Sequence, residues 1–291
     1  MDDVDFQTGR WLELARQASR VGGNVLKGNL GKVDPRTIIA KKRGDWVSSA
    51  DKSSEEAIID LLKKNVPEHD ILTEEAGLIR SGKNSDYRWI IDPLDGTTNF
   101  LRRFPIWAVS VALEYRPSIE TGWGEIITGA IHIPPTGETF WAAKGKGAFR
   151  DGERIHVSDG GAFGESLLAT GFPFRTRHLA GQYLKLFEYI MPRCADVRRA
   201  GAVAVDLCYT AAGIFDGFWE LDLAPWDIAA GALIIREAGG RVSNFQGGDD
   251  FLSSGDIVAG TPPVFNELLG MVVDYFPVPR DVDKTPAARE I

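Results

Sequence analysis

Residues Trp89 to Phe100 read WIIDPLDGTTNF: three apolar residues run into Asp92, a second carboxylate follows at Asp95, and a Gly-Thr-Thr turn comes next. An apolar, strand-like run that ends in two acids poses an electrostatic problem, because a buried carboxylate without a partner is costly. Something must offset that charge. Pro93 removes a backbone donor and fixes φ, so the strand is expected to stop at Asp92. Gly96 permits a tight turn, and Thr97, Thr98 and Asn99 supply capping groups for a short helix whose free N–H groups point outward. Such a start attracts an anion, most often phosphate. The segment thus offers acids for a cation beside amides for an anion.

Alone, Asp-x-x-Asp-Gly is usually no more than an Asx-type turn. Two other stretches change that reading. TEEAG (Thr73 to Gly77) puts Glu74 and Glu75 just after another apolar run, and WDIAAG (Trp226 to Gly231) puts Asp227 at the entrance of an apolar helix. Singly, the first is a solvated turn and the second an acid favoured by the helix dipole. Together these acids fit a site of oxygen ligands suited to Mg²⁺, which binds through carboxylates, substrate phosphate and water. His69, His132, His156 and His178 are scattered without metal-ligand spacing, which argues against zinc.

Working outward, the periodicity predicts a helix over Phe6 to Leu26 with Trp11, Leu14, Ala15, Ala18, Val21 and Val25 as its apolar face. A second helix takes Asp51 and Ser53 as candidate caps, buries Ala57, Ile58, Leu61 and Leu62, and ends near Val66. Strands are expected at Ile71 to Thr73, Trp89 to Ile91 and Trp107 to Tyr115, then a hairpin of EIITGAIHI and TFWAA, and a strand at Ala148 to Arg150. After a turn at Asp151-Gly152 the pattern alternates. It gives a strand at Leu167 to Thr170, helices at His178 to Met191 and Ala202 to Ala212, a strand in IFDGFWEL, and a helix from Trp226 to the Gly239-Gly240 stop. Short strands at Arg241 to Ser243 and Ile257 to Ala259 precede a last helix, Val264 to Tyr275. The chain is read as mixed α and β, with an N-terminal α+β subdomain (1–151) carrying most of the metal ligands, a C-terminal α/β subdomain (152–276) and a disordered tail (277–291).

The bulk numbers bound the function. At 291 residues, 44% hydrophobic and 25% charged, the composition is that of a globular protein. No apolar run approaches the roughly 20 residues of a membrane span, and the acidic start MDDVDFQTGR is unlike a signal peptide. A cytoplasmic location is expected. Cys194 and Cys208 make no framework and read as reduced core residues. The net charge of -8 argues against direct nucleic-acid binding. Arg175, Arg177, Arg198 and Arg199 have two readings, a seat for a second phosphate or merely solvated charge. Lys144-Gly-Lys-Gly reads as a hairpin turn, and Trp219 and Trp226 as core.

IIDPLDGTTNF resembles the first signature of the inositol monophosphatase family, and PWDIAAGALIIREAGG looks like its second. DWVSSADKSSEEAI, LTEEAG, ATGFPF and RRAGAVAVDLCYTAAGIFDGFWEL also fit, so the resemblance runs from about Trp11 to Leu269, with the bacterial inositol-1-monophosphatase-like branch most similar. It implies a layered αβαβα sandwich of the inositol monophosphatase and fructose-1,6-bisphosphatase type, and a Mg²⁺-dependent inositol-1-monophosphatase with two or three ions per subunit. Glu74, Asp92 and the Leu94 carbonyl would hold one ion, and Asp92, Asp95 and Asp227 a second, with a third leaning on Glu74. Thr97, beside Glu74 and supported by Asp51, would orient and deprotonate the attacking water, with Gly96 and Thr97 amides on the phosphate. Asp95, the backbone at Ala202 and Val203, and Glu220 would contact a small phosphorylated polyol or sugar. Homodimerisation and lithium sensitivity are implied too. Ala224-Pro225 stands where animal members carry a histidine, and TGFPF replaces their serine-bearing segment, which leaves fructose-1,6-bisphosphate, histidinol phosphate or nucleotide 3'-phosphates open as substrates. Association with the transcription machinery, as in some bacterial relatives, is a rival role.

Overall fold

The computed structural model describes residues 2–33, 39–42, 45–82, 85–117 and 122–277; the tail expected to be disordered lies, from residue 278 on, outside the described residues. Helices α1 (Asp2–Asn29) and α2 (Ser49–Asn65) flank a hairpin of β1 (Ile39–Lys42) and β2 (Asp45–Val47). Then come β3 (Asp70–Thr73), β4 (Gly77–Ile79), β5 (Tyr87–Asp95), the five-residue α3 (Thr97–Leu101), β6 (Ala108–Tyr115), β7 (Glu125–Ile133), β8 (Glu138–Ala143), β9 (Gly147–Arg150) and β10 (Glu153–Ile155). These strands, hairpin apart, form one sheet in the order β10-β9-β8-β7-β6-β5-β3-β4, antiparallel except for the β3–β5 pair. A second sheet has the order β12-β11-β13-β15-β14, built from β11 (Leu167–Thr170), β12 (Asp196–Arg198), β13 (Gly217–Glu220), β14 (Arg241–Ser243) and β15 (Ile257–Gly260).

Helices α5 (Val203–Ala211) and α6 (Pro225–Glu237) lie between the sheets, while α4 (Ala180–Ile190) and α8 (Pro262–Tyr275) cover the far face of the second; α7 (Phe251–Ser254) is a single turn. With α1 and α2 outside the first sheet, this is the αβαβα sandwich, and three apolar cores fill the gaps between its layers. Helix α6 is buried on every side from Pro225 to Ile235 and, Asp227 apart, apolar over that span, as a helix enclosed by two sheets must be. Its approach depends on small residues. A Cβ on Gly129 of β7 would lie 3.0 Å from the Ala230 Cα, and one on Gly231 would lie 2.5 Å from a Leu207 methyl of α5.

Several local expectations are corrected. The inner face of α1 keeps Trp11, Leu14, Ala15 and Ala18 but continues through Gly22, Gly23 and Leu26, leaving Val21 and Val25 half-buried. The glycines win those positions because a Cβ there would strike Ile58 or His132. The cap of α2 is Ser48, and Asp51 is instead the third helical residue, returning a bond from its carboxylate to the Ser48 N–H. On the same helix Ile59 is buried, while Ala57 and Leu61 are only half-buried. Strand β5 does not stop at Asp92. Pairing with β6 runs Asp92 to Ser110 and then Asp95 to Ala108, a one-residue bulge, and β3 pairs only as far as Ile91, so Pro93 sits where no ladder donor is required. Cys208 is buried, whereas Cys194 is half-buried at the end of the α4 segment; both are free thiols.

The close seat of α6 on β7 gives a test. Valine suits an isolated strand better than glycine, yet Gly129→Val forces a side chain against the Ala230 backbone, so the expected outcome is a loss of about 1–3 kcal/mol, read as a lower urea midpoint with unchanged slope.

Candidate active site

Parallel pairing sets the first pair of acids. Thr73 lies opposite Ile91, so the next residues, Glu74 and Asp92, leave the ends of β3 and β5 side by side. Strand alternation would send Asp92 and Asp95 to opposite faces, since they are an odd number of residues apart. The bulge between them inserts one residue and restores both to the same side. Its shape is pinned from both directions: Leu94 N–H donates to Asp92 Oδ1 at 2.9 Å, and Ser54 Oγ of α2 donates to the Pro93 carbonyl at 2.9 Å.

The remaining acids arrive on helix starts. Asp95 Oδ2 accepts the Ala204 N–H in the first turn of α5 at 2.7 Å. Asp227, in the first turn of α6, accepts the Ala224 N–H at 2.7 Å. Arg175 Nη1 stands 3.6 Å from the Asp227 carboxylate. Gly96, with φ +86°, precedes α3, and a Cβ there would meet the Ile106 carbonyl at 3.0 Å, so the position demands glycine on both counts.

Glu74, Asp92, Leu94, Asp95, Gly96, Thr97, Val203, Glu220 and Asp227 all line one cavity of about 460 Å³. Asp51 and Ala202 stand behind its wall. The Thr97 hydroxyl donates to Asp51 Oδ1 at 3.0 Å or to the Leu94 carbonyl at 3.2 Å, while Ser48 Oγ donates to the other Asp51 oxygen at 2.6 Å. Ala202 is the residue before α5, beside Gly96. Arg175, Arg177 and Arg199 form an exposed basic rim with Phe172 and Phe174, while Arg198 is absent from the lining. Arg199 lies over both rings, 5.7 and 5.1 Å from their centroids.

Burial decides the electrostatics. Desolvation, followed by repulsion from Glu74, Asp95 and Asp227, pushes the Asp92 carboxyl far above its ordinary value. Burial and the Asp227 charge raise Asp95 to about 7 against the lowering effect of α5 amides, and burial raises Glu220 to about 8 despite the Arg199 charge. Among the described residues no three His, Cys, Asp or Glu side chains are drawn together as a ready-made cage. Four acids around an open cavity instead suit an ion that keeps waters and shares its shell with a ligand. The oxygen-only donor set and the mutual destabilisation of its charges fit a hard divalent cation.

Sequence reasoning missed the residues that hold these acids. The buried Glu55 carboxylate accepts Thr73 Oγ1 at 2.5 Å and the Glu75 and Ala76 N–H groups at 3.0 and 3.2 Å, fixing the turn that carries Glu74. Asn99 is no cap. Its Nδ2 donates to the Ile106, Ala200 and Gly201 carbonyls, tying α3 to the approach of α5. Gly171 follows β11 beside Glu220, where a Cβ would overlap the Glu220 carboxylate. The one available signal was a polar buried stripe on α2, with Asp51, Ser54 and Glu55 all on its inner side.

Comparison with known proteins reveals likenesses over most of the chain. The model of the inositol monophosphatase family matches residues 8–274. The protein called Nus factor SuhB in Escherichia coli K12 is 41% identical over 263 residues, 90% of this chain and 96% of that protein. The crystal structure of extragenic suppressor protein suhB from Bartonella henselae superposes with a TM-score of 0.83 at 38% identity, covering 89% of this chain and 97% of that one. Inositol monophosphatase from Anabaena (Nostoc) sp. PCC 7120 gives 0.79 at 32% identity over 91% and 96%.

The raised carboxyls predict a pH dependence of stability. Between about pH 4 and 8 Asp92, Asp95 and Glu220 bind more protons in the folded, metal-free protein than in the unfolded chain, since they hold theirs to higher pH. Their contribution to stability falls as pH rises through that window. Thermal unfolding in chelator is expected to show a lower Tm at pH 8 than at pH 5.5, and added Mg²⁺ to raise Tm more at pH 8; equal Mg²⁺ effects at both would contradict the site.

Proposed function

The chain belongs to the inositol monophosphatase family, and on that premise we propose that it is a Mg²⁺-dependent phosphate-monoester hydrolase acting on inositol 1-phosphate. The observation that carries this reading is the meeting of Glu74, Asp92, Asp95 and Asp227 on one cavity beside the Gly96–Thr97 helix start. Glu74, Asp92 and the Leu94 carbonyl would hold one Mg²⁺, and Asp92, Asp95 and Asp227 a second, with a third ion leaning on Glu74. Bound there, Mg²⁺ supplies neutralisation of phosphoryl charge and acidification of water, which is the chemistry monoester hydrolysis needs.

The protein's own groups orient and receive. Thr97 gives its hydroxyl proton to Asp51, which leaves its oxygen lone pairs facing the cavity as the acceptor for the attacking water's proton. Asp51 is kept in position by Ser48, and burial holds its carboxyl above the ordinary value, so it is basic enough to share the Thr97 proton. The Gly96 and Thr97 N–H groups, at the turn where a helix lacks its own acceptors, take phosphate oxygens. Asp95, the backbone at Ala202 and Val203, and Glu220 address the alcohol that leaves. Homodimer formation and lithium inhibition belong to the same reading.

The name Nus factor, borne by the Escherichia coli relative, favours a second reading in which the chain binds the transcription machinery. The two separate in one set of measurements. Phosphate release from inositol 1-phosphate is expected only with Mg²⁺, Asp95→Asn is expected to abolish it, and Thr97→Ala to lower kcat by about 10²–10⁴. Activity retained in Asp95→Asn would refute the site assignment. Co-purification with RNA polymerase subunits that Asp95→Asn leaves intact would support the binding role, and faster release from fructose-1,6-bisphosphate would replace the substrate.

A further inference from the structure

We propose that Glu55 is a positioning residue of this site, holding Glu74 in place for divalent ions through a single acceptor oxygen. The inference rests on the phosphatase reading above, in which Glu74 serves two of the ions, and it names what makes this chain hold them firmly.

A carboxylate in the buried stripe of a helix needs a reason. Glu55 is 5% exposed, on the side of α2 that also buries Ile58, Ile59 and Leu62, where an apolar residue would add burial without a desolvation cost. It lies in the second turn of α2, past the first-turn amides that favour an acid at a helix start. Three donors meet it, all at Oε1: the Thr73 hydroxyl at 2.5 Å, the Glu75 N–H at 3.0 Å and the Ala76 N–H at 3.2 Å. They stand on both sides of Glu74, so the chain is fixed before and after that residue. Closure of the β3–β4 hairpin does not require this, because the strands already pair Thr73 with Gly77 across the turn. Nor do the turn amides, since Ala76 is exposed and water satisfies such groups in surface turns.

What the three bonds fix is the stretch from which Glu74 faces Asp92. Glu74 lines the cavity beside Asp92, and of the charges acting on the Asp92 carboxyl that of Glu74 acts most strongly. Two like charges brought that close separate if the chain lets them, and a divalent ion binds best where they are held together beforehand. The same helix serves the rest of the site from neighbouring positions. Asp51 takes the Thr97 hydroxyl at 3.0 Å, and Ser54 donates to the Pro93 carbonyl within the bulge at 2.9 Å. Positions 51, 54 and 55 share one helix face, being three and four residues apart. Each reaches a different element, so α2 is their common support, and Glu55 is the member that serves the Glu74 ions.

The test separates positioning from stability. Mg²⁺ binding to the substrate-free protein is measured by titration calorimetry, and phosphate release from inositol 1-phosphate is followed against Mg²⁺ concentration. Glu55→Ala is expected to weaken Mg²⁺ binding about ten- to a hundredfold, the usual cost of removing a group that orients a ligand, while kcat at saturating Mg²⁺ stays close to that of the wild type. Glu55→Gln keeps an oxygen for the three donors and is expected to restore most of the affinity. Thr73→Val removes one donor with little change of shape and is expected to weaken binding in the same direction by less. Ile59→Ala, one turn further along α2 in the apolar core, lowers Tm with Oε1 and its donors in place, and is expected to leave Mg²⁺ affinity unchanged. Wild-type affinity in both Glu55→Ala and Thr73→Val, or an affinity that falls with Tm in Ile59→Ala, overturns the proposal while leaving the phosphatase reading intact. A loss in Glu55→Gln equal to that in Glu55→Ala does the same, since charge and not the acceptor oxygen would then be at work. A wild-type protein that binds no Mg²⁺ overturns both.

Discussion

Carboxylate charge that cannot be left unpaired is the constraint on which this structure turns. Asp92 and Asp95 are almost wholly removed from solvent, and Glu74 and Asp227 face them across the same cavity. Isolated, such a group would cost several kcal/mol or surrender its charge. The fold answers with backbone dipoles first: α5 offers an amide to Asp95, the Ala224 amide at the entrance of α6 serves Asp227, and α3 opens at Thr97 beside them. At Asp95 the α5 amides lower the carboxyl less than burial raises it, and burial likewise outweighs the Leu94 amide at Asp92 and the Arg199 charge at Glu220. The deficit is what a divalent cation would supply, so the electrostatic cost in the protein alone and affinity for an ion are the same quantity seen from two sides.

The layered architecture is the device that brings the acids together. Two sheets sharing a middle layer of helices allow α5 and α6 to start at one edge, and the parallel pairs β3–β5 and β11–β13 end near it. Ligands of layered α/β folds collect at such strand ends. The middle layer is close only because glycine and alanine meet across it, at Gly129 against Ala230 and at Gly231 against Leu207. The same close layer holds α5, which anchors Asp95, against α6, which carries Asp227.

What could be read before any coordinates was whatever depends on local chemistry. Helix periods, strand runs and the acids at 74, 92, 95 and 227 are visible because apolar spacing and residue type are local properties, and all four acids do line one cavity. The errors have a common origin. Pro93 looked like a strand end because its missing donor matters only if a neighbour needs it, and the limit of β3 pairing is a tertiary fact. Asp51 looked like a cap because acids favour helix starts, but Ser48 held that place and Asp51 pointed its second oxygen at Thr97. The roles of Glu55 and Asn99 were hidden because all partners of the first and two of the three partners of the second lie 18 to 102 residues away.

The errors at Pro93 and Asp51 fall where the cavity departs from regular periodicity, and that follows from what a polar site requires. Regular strands send alternate side chains to opposite faces, and regular helices bury a single stripe. A cavity that needs Asp92 and Asp95 on one side must break the first rule, and the bulge does so; one that needs Asp51 beneath Thr97 must place a carboxylate in the buried stripe of α2. The positive φ of Gly96 and Asp222 and the side-chain-free wall at Gly171 are further departures confined to the same lining. Each is tolerable because the surrounding layers over-determine the chain on either side. The site is thus the place where the sequence stops obeying its own periodicities, and the acids found there are the reason.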